Sequence, residues 1–243
     1  MGKRIKITIL SVLSLPAALV GVAAYLGYFG GPVFVDIPAT ARPAKINAGL
    51  AAVVLSGDMG FRIGMGPRVA NRLAADGIPV VGINSLTFFR NRRSPAEVKA
   101  LISAAARRAL AFGHAGRVVL IGQSFGADML HIGLTGMAPA LRAHVAMVAL
   151  VVPTDTILYR ASPSELLNWT RPDAAALPTA RQLTWVPVTC IQGAEETDSL
   201  CPMLTQPNVH RVALPGGHPM HGDTDAVHAV LAKAIAAANI TGR

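Results

Sequence analysis

Ser124 stands in Gly122-Gln123-Ser124-Phe125-Gly126, a G-x-S-x-G pattern. An apolar run, Arg117–Gly122, leads into it, and a helical pattern, Phe125–Leu134, leads out. A strand that turns sharply into a helix needs small flanking residues, so that the two backbones can pass closely and the serine Oγ stands exposed above a sheet. A serine in a merely structural turn fits the five letters too; the strand–turn–helix setting favours a nucleophile.

A serine hydroxyl attacks poorly without a base, and the base needs an acid to orient it. On this kind of turn the partners follow in the order serine, acid, histidine. Downstream of Ser124 lie His131, His144, His210, His218, His221 and His228. His218, in Pro215-Gly216-Gly217-His218 between a strand and the final helix, is the predicted base, with His221 second. His131 sits on the nucleophile helix and reads as a packed or surface histidine. His218 and His221 also form an H-x-x-H pair, but no third metal ligand is evident, and neither metal nor cofactor is expected. The acid should follow the strand predicted over Val186–Gly193, in Ala194-Glu195-Glu196-Thr197-Asp198. Asp198 is the first choice and Glu196 the runner-up; the bland reading of these acids is a solvated loop face.

The oxyanion that forms on acyl transfer needs backbone donors. The N–H of Phe125, directly after the serine, is one; Met59, in the loop Gly57-Asp58-Met59-Gly60-Phe61, is the candidate for the other. Asp58 precedes the serine, so it reads as ordering its own turn rather than as the acid. Pocket-wall positions are expected at Asp58, Phe61, Phe89, Arg90, Arg92 and Gln123. The cluster Ser85-Leu86-Thr87-Phe88-Phe89-Arg90-Asn91-Arg92-Arg93 follows a predicted strand at the ligand-binding edge of an open sheet. Its arginines suit an anionic group such as a lipid phosphate; the plainer reading is a solvated basic loop with two buried phenylalanines.

The elements that must hold these groups alternate. Apolar runs at Ala51–Ser56, Pro79–Asn84, Arg117–Gly122, Met147–Val152, Val186–Gly193 and Val209–Leu214 are continuous rather than alternating, as in strands buried on both faces. Helical patterns fall at Pro67–Ala75, Pro95–Phe112, Phe125–Leu134 and Asp223–Ala237. The second opens with a capping box, Ser94 and Glu97, and with Pro95 at its first position. This alternation predicts an α/β fold: a mostly parallel sheet with helices on both faces. It fills residues 48–243 as one domain, with Pro153 to Trp185 as an irregular lid or cap.

At 243 residues and 52% hydrophobic, with 14% charged, the chain is no disordered protein. Aromatics at 5% argue against a nucleic-acid stacking platform, and no nucleic-acid partner is expected. Of 22 basic residues, Lys3, Arg4 and Lys6 precede the first apolar run; without them the balance is 19 to 13, or +6. No charge falls between Ile7 and Phe34. A run of that length exceeds the ~20 residues that span hydrocarbon. Basic residues ahead of it keep the N-terminus cytoplasmic and send the rest across. Residues 1–30 thus read as a signal anchor, with a cleaved signal peptide as the rival, and 31–47 as a linker and approach segment. The expected location is the periplasm, beside an anionic membrane surface. In that compartment Cys190 and Cys201, eleven apart, are expected to form a disulfide across the acid loop, adding ~2–3 kcal/mol.

Several segments together resemble the bacterial virulence protein family of VirJ and AcvB, in its short single-domain form. They are Leu55-Ser56-Gly57-Asp58 with Gly60; Ser85-Leu86 through Phe89 and Arg92-Arg93-Ser94-Pro95; Gly122 with Ser124-Phe125-Gly126-Ala127-Asp128; Asp198 with Cys201-Pro202; and Leu214-Pro215-Gly216-Gly217-His218. The resemblance implies an exported α/β-hydrolase fold with Ser124, Asp198 and His218 as nucleophile, acid and base. It implies hydrolysis of aminoacylated phosphatidylglycerol, especially the lysyl form, and for short members a link to type IV secretion. A non-catalytic adaptor serving secretion-system proteins is the alternative function. The chain departs from the family pattern at Met59 and Phe61, at Gln123, and at Pro219-Met220, positions that bear on the pocket wall.

Overall fold

The computed structural model describes residues 18–161 and 171–241, with side chains to residue 239. Its centre is a seven-stranded sheet in the order β1-β3-β2-β4-β5-β8-β9. The strands are β1 (Phe34–Ile37), β2 (Leu50–Leu55), β3 (Val80–Ile83), β4 (Arg117–Gln123), β5 (Val145–Val151), β8 (Val188–Gly193) and β9 (Val209–Leu214). All neighbours run parallel except β1, which lies antiparallel on β3. The expected strands are therefore present, each within two residues of its predicted ends. β1 is a correction: it falls in the stretch read as a linker. It is short, and it is only half-buried, so it carries no continuous apolar run.

The apolar runs are buried as two-faced strands must be. Every residue of β2 and β5 is buried, and Ala51 to Leu55 have no exposed surface. Between the strands come α2 (Met65–Ala75), α3 (Ser85–Phe89), α4 (Pro95–Phe112), α5 (Phe125–Leu134), α6 (Pro139–Arg142), α7 (Leu177–Ala180) and α8 (Thr224–Thr241). Helix α4 buries Val98, Leu101, Ile102, Ala105, Ala106 and Ala109, one stripe at helical spacing. Together with α5 it covers one face of the sheet. α2, through Val69, Ala70 and Leu73, and α8, through Val227, Leu231 and Ile235, cover the other. The capping box forms as the sequence predicts: Ser94 Oγ accepts from the Glu97 N–H, and Glu97 accepts from the Ser94 N–H at 2.8 Å. α3 is the second correction. The stretch read as a basic loop opens as a helix capped by the Asn84 side chain, which accepts from the Thr87 N–H.

Residues 18–26 form a helix, α1. Of the predicted membrane-spanning run, Ile7 to Ala17 lie outside the described residues, and among the described residues no helix is long and apolar enough to cross a membrane. Of the stretch read as a lid or cap, residues 162–170 lie outside the described residues, and the rest is anchored rather than free. β6 (Thr156–Ile157) pairs with β7 (Ala174–Ala175), and Thr154 bridges to Ser199. Cys190 and Cys201 are joined, tying β8 to the far end of the loop that follows it.

Candidate active site

Ser124 lies between β4 and α5 at φ 53°, ψ −127°, a strained backbone for any residue with a side chain. The two glycines permit it. A side chain at Gly122 would strike the Gly126 carbonyl at 2.4 Å, and one at Gly126 would strike the Ser56 carbonyl at 2.5 Å. The turn therefore forces strand and helix into contact and pushes Ser124 up at the carboxyl edge of the sheet.

Ser124 Oγ lies 2.8 Å from His218 Nε2, and His218 Nδ1 lies 2.7 Å from Glu196 Oε1. The three side chains thus form one hydrogen-bonded line, drawn from the ends of β4, β8 and β9. His218 enters from the loop after β9, as the sequence predicts. His221, the second choice, sits in a tight 3-10 turn at positive φ, its ring over Gly216.

The carboxylate on the imidazole is Glu196, a correction to the first choice of Asp198. The reason lies in the loop's first turn. Glu196 N donates to the Gly193 carbonyl, and Glu196 Oε2 takes the Gly193 N–H at 2.7 Å. The carboxylate is thus held at both oxygens, and its side chain is only 2% exposed. Two residues on, the Asp198 carbonyl accepts from the Asp155 N–H, which turns this stretch toward the cap, and its side chain faces the cavity. The hydrogen bond that His218 Nδ1–H donates to Glu196 is the main force raising the His218 pKa; burial opposes it, and the charges of Glu196, Asp198 and Asp58 add to it.

A cavity of about 690 Å³ opens over Ser124. Asp58, Arg68, Gln123, Asp128, Thr154 and Asp198 line it with Ser124, Phe125 and His218. Of the predicted wall positions, Asp58 and Gln123 are there. Gln123 Oε1 accepts from the Gly57 N–H, so it ties the two loops that flank the serine. The others are corrections. Phe61 is buried over Gly82, filling the space a side chain there would need. Phe89 is wholly buried and stacks edge-on against Phe125 from behind. Arg90 caps α3 with its backbone. Arg92 pairs with Asp173 at 2.5 Å. Each serves the fold beneath or beside the cavity. Met59 likewise does not line it: its N–H turns to the Asp58 carboxyl, which burial pushes above its usual value. Phe125 does line it, in the first turn of α5, where a helix leaves its N–H groups without intrahelical partners.

Asp128 and Thr154 were not singled out by role in the sequence. Asp128 is 5% exposed, and burial drives its pKa well above normal despite the Thr154 N–H on Oδ1 at 2.9 Å. The hydrogen count agrees. Thr154 Oγ1 lies 2.9 Å from Asp128 Oδ2 and 2.8 Å from the Thr156 carbonyl, but it has one proton. A neutral Asp128 donates to Thr154, which donates onward to Thr156. The sequence signal for this strut is an acid four residues after the serine, on the first turn of a buried helix.

Among the described residues, no cluster of three potential metal ligands occurs. His131 is packed, not exposed: Nδ1 meets Thr179 Oγ1 at 2.9 Å, and burial lowers its pKa to about 3.

The fold is that of the α/β-hydrolases. The chain is similar to proline iminopeptidase from Mycobacterium smegmatis, at TM-score 0.60 and 13% identity over 86% of this chain and 96% of that one. It is similar to the mature Bacillus licheniformis lipase BlEst2, at TM-score 0.60 and 10% identity over 85% and 99%. It is also similar to Est1E from Butyrivibrio proteoclasticus with ferulic acid bound, at TM-score 0.54 and 11% identity over 84% and 95%. No curated protein sequence matches the chain. The family described as bacterial virulence protein (VirJ) matches residues 49–239, from the first parallel strand to the last helix, and the chain belongs to that family.

Proposed function

We propose that this VirJ-family chain is a serine hydrolase of the periplasm that cleaves an ester, with aminoacylated phospholipids such as lysyl-phosphatidylglycerol as its substrate class. The observation that carries the proposal is the hydrogen-bonded line Ser124–His218–Glu196. His218 Nε2 takes the Ser124 proton as Oγ bonds to the ester carbonyl carbon. Glu196 holds Nδ1–H and stabilises the imidazolium that results. The Phe125 N–H receives the developing oxyanion. Collapse expels the alcohol, which takes the proton from His218. Water then attacks the acyl-enzyme by the same route in reverse, releasing the acid and restoring the serine.

Substrate class rests on charge. Asp58 and Asp198 face the cavity against the single guanidinium of Arg68, a setting that suits an acyl group bearing an ammonium. The disulfide fits an oxidising compartment. The basic N-terminus ahead of a long uncharged run fits export to an anionic membrane surface, where the chain is held.

A fluorophosphonate probe tests the reaction. Stoichiometric labelling at Ser124 is expected; inertness of the folded protein would favour the adaptor reading. Lipid profiling of a deletion strain tests the substrate, which should accumulate as an aminoacylated phospholipid.

A further inference from the structure

Beside the catalytic cavity runs a second groove of a different character. It is about 400 Å³ and is walled by Leu19, Val22, Leu26 and Phe29 on one side and by Met59 and Leu86 on the other. Asp58 lines both this groove and the cavity of Ser124, so the two meet at one residue. Its surface is almost entirely apolar, yet it stays open: Leu19 is 63% exposed, Val22 55% and Phe29 60%. Contiguous exposed apolar surface marks a binding site rather than ordinary protein surface.

The groove is also built, not incidental. The end of α1 is fastened to the domain at buried atoms. Asn84 Nδ2 donates to the Leu26 carbonyl, and Thr87 Oγ1 donates to the Gly27 carbonyl at 3.1 Å. Asn84 is the same side chain that caps α3, so α1 and α3 are locked together, and Leu26 is buried between them. Also on α1, the Tyr25 ring lies under the Arg62 guanidinium, which is 4.9 Å from its centre. An arginine on an aromatic at the edge of an apolar surface suits a water–lipid boundary. In sequence, the residues before this wall, Ile7 to Ala17, carry no charge.

We infer that this groove takes a hydrocarbon chain of the lipid whose ester is cut at Ser124, so that the substrate lies with its polar end in the acidic cavity and its tail between α1 and Met59–Leu86. The inference rests on the serine hydrolase reading and adds the place of the tail. α1 is then part of the binding site and not a disposable leader: cleavage after Ala24 would remove Leu19 and Val22, half of one wall.

The test uses the full chain in phosphatidylglycerol–phosphatidylcholine nanodiscs, with fluorophosphonates carrying ethyl, octyl or hexadecyl chains. Modification of Ser124 is followed by intact mass. Wild type should react at least about tenfold faster with the hexadecyl probe than with the ethyl probe, because each buried methylene adds to binding. Val22→Trp, which fills the groove, and Val22→Asp, which charges it, should bring that ratio to within about twofold of one while leaving the ethyl rate unchanged. Partition into the nanodisc is common to all three proteins and cancels in the comparison. An intact ethyl rate also shows that each variant is folded. If wild type has no chain-length preference, or both variants keep it, the groove does not hold the tail. That is the result expected if the chain's own first residues or a second copy fill it. If the ethyl probe does not label wild type at all, the hydrolase reading falls, and this inference with it.

Discussion

The turn that carries Ser124 and the loop that carries Glu196 deliver two members of one hydrogen-bonded line by opposite means. The turn is determined locally: two glycines, a strained φ and the strand–helix contact leave Ser124 one place to be. The loop is determined from across the molecule. The Asp155 N–H binds the Asp198 carbonyl, the Leu200 N–H binds the Pro153 carbonyl, and a disulfide closes the far end. A local solution shows in five letters of sequence. A solution assembled from distant partners leaves two acids, two positions apart, that look alike on paper and differ completely in role.

Substitutions at the line test that contrast. Ser124→Ala should cut ester turnover by about 10⁴-fold or more with the fold intact, since the members of such a line act as a unit. Glu196→Gln should cost about 10³–10⁴-fold in kcat, by losing the charge that orients and stabilises the imidazole. Asp198→Asn should cost less than about tenfold on a neutral ester and should instead raise KM for an aminoacyl ester, read from the two substrates side by side. Equal losses at 196 and 198 would erase the difference between the two acids.

The pH profile sharpens it. The base must be neutral to work, so activity falls as pH drops through the pKa of His218. The Glu196 hydrogen bond raises that pKa, which places the acid limb of kcat/KM above the ordinary histidine value of 6.5. Glu196→Gln removes the largest cause and should move the limb to lower pH. Asp198→Asn should move it in the same direction by less. The smallest effect is on stability, away from the site. Buried His131 stays unprotonated in the folded chain down to about pH 3, whereas the unfolded chain binds its proton below 6.5. Folded stability is therefore lost progressively as pH falls through that window. His131→Asn, which keeps a side-chain partner for Thr179, should flatten the decline of Tm between those limits; an unchanged slope would remove His131 from the acid response.

Much of the scaffold was legible because its signals are local. Continuous apolar runs gave the parallel strands, and Ser94, Pro95 and Glu97 gave the start of α4 to the residue. The serine and histidine were legible because each sits where a strand ends. What stayed hidden depends on contacts remote in sequence. β1 is a four-residue edge strand with half-buried residues on both faces, so neither alternation nor a long apolar run announces it. Phe61, Phe89 and Arg92 look like wall residues in a loop at the right edge, but Gly82, Phe125 and Asp173 claim them. Glu196 needs the turn that returns its carboxylate to the Gly193 N–H, and residue type alone does not disclose that turn.

The reversed direction of β1 decides how the cavity faces its surroundings. Phe34 lies beside Ile83 and Ile37 beside Val80, so the polypeptide arrives at the top of the sheet and runs downward before the parallel strands begin. Had this first strand run with its neighbours, the leading helix would emerge at the floor, a full strand length from Ser124. As built, whatever grips the leading helix also grips the mouth of the cavity. One strand's polarity thus decides that a tether would aim the cavity of Ser124 toward its own point of attachment and away from the open solution.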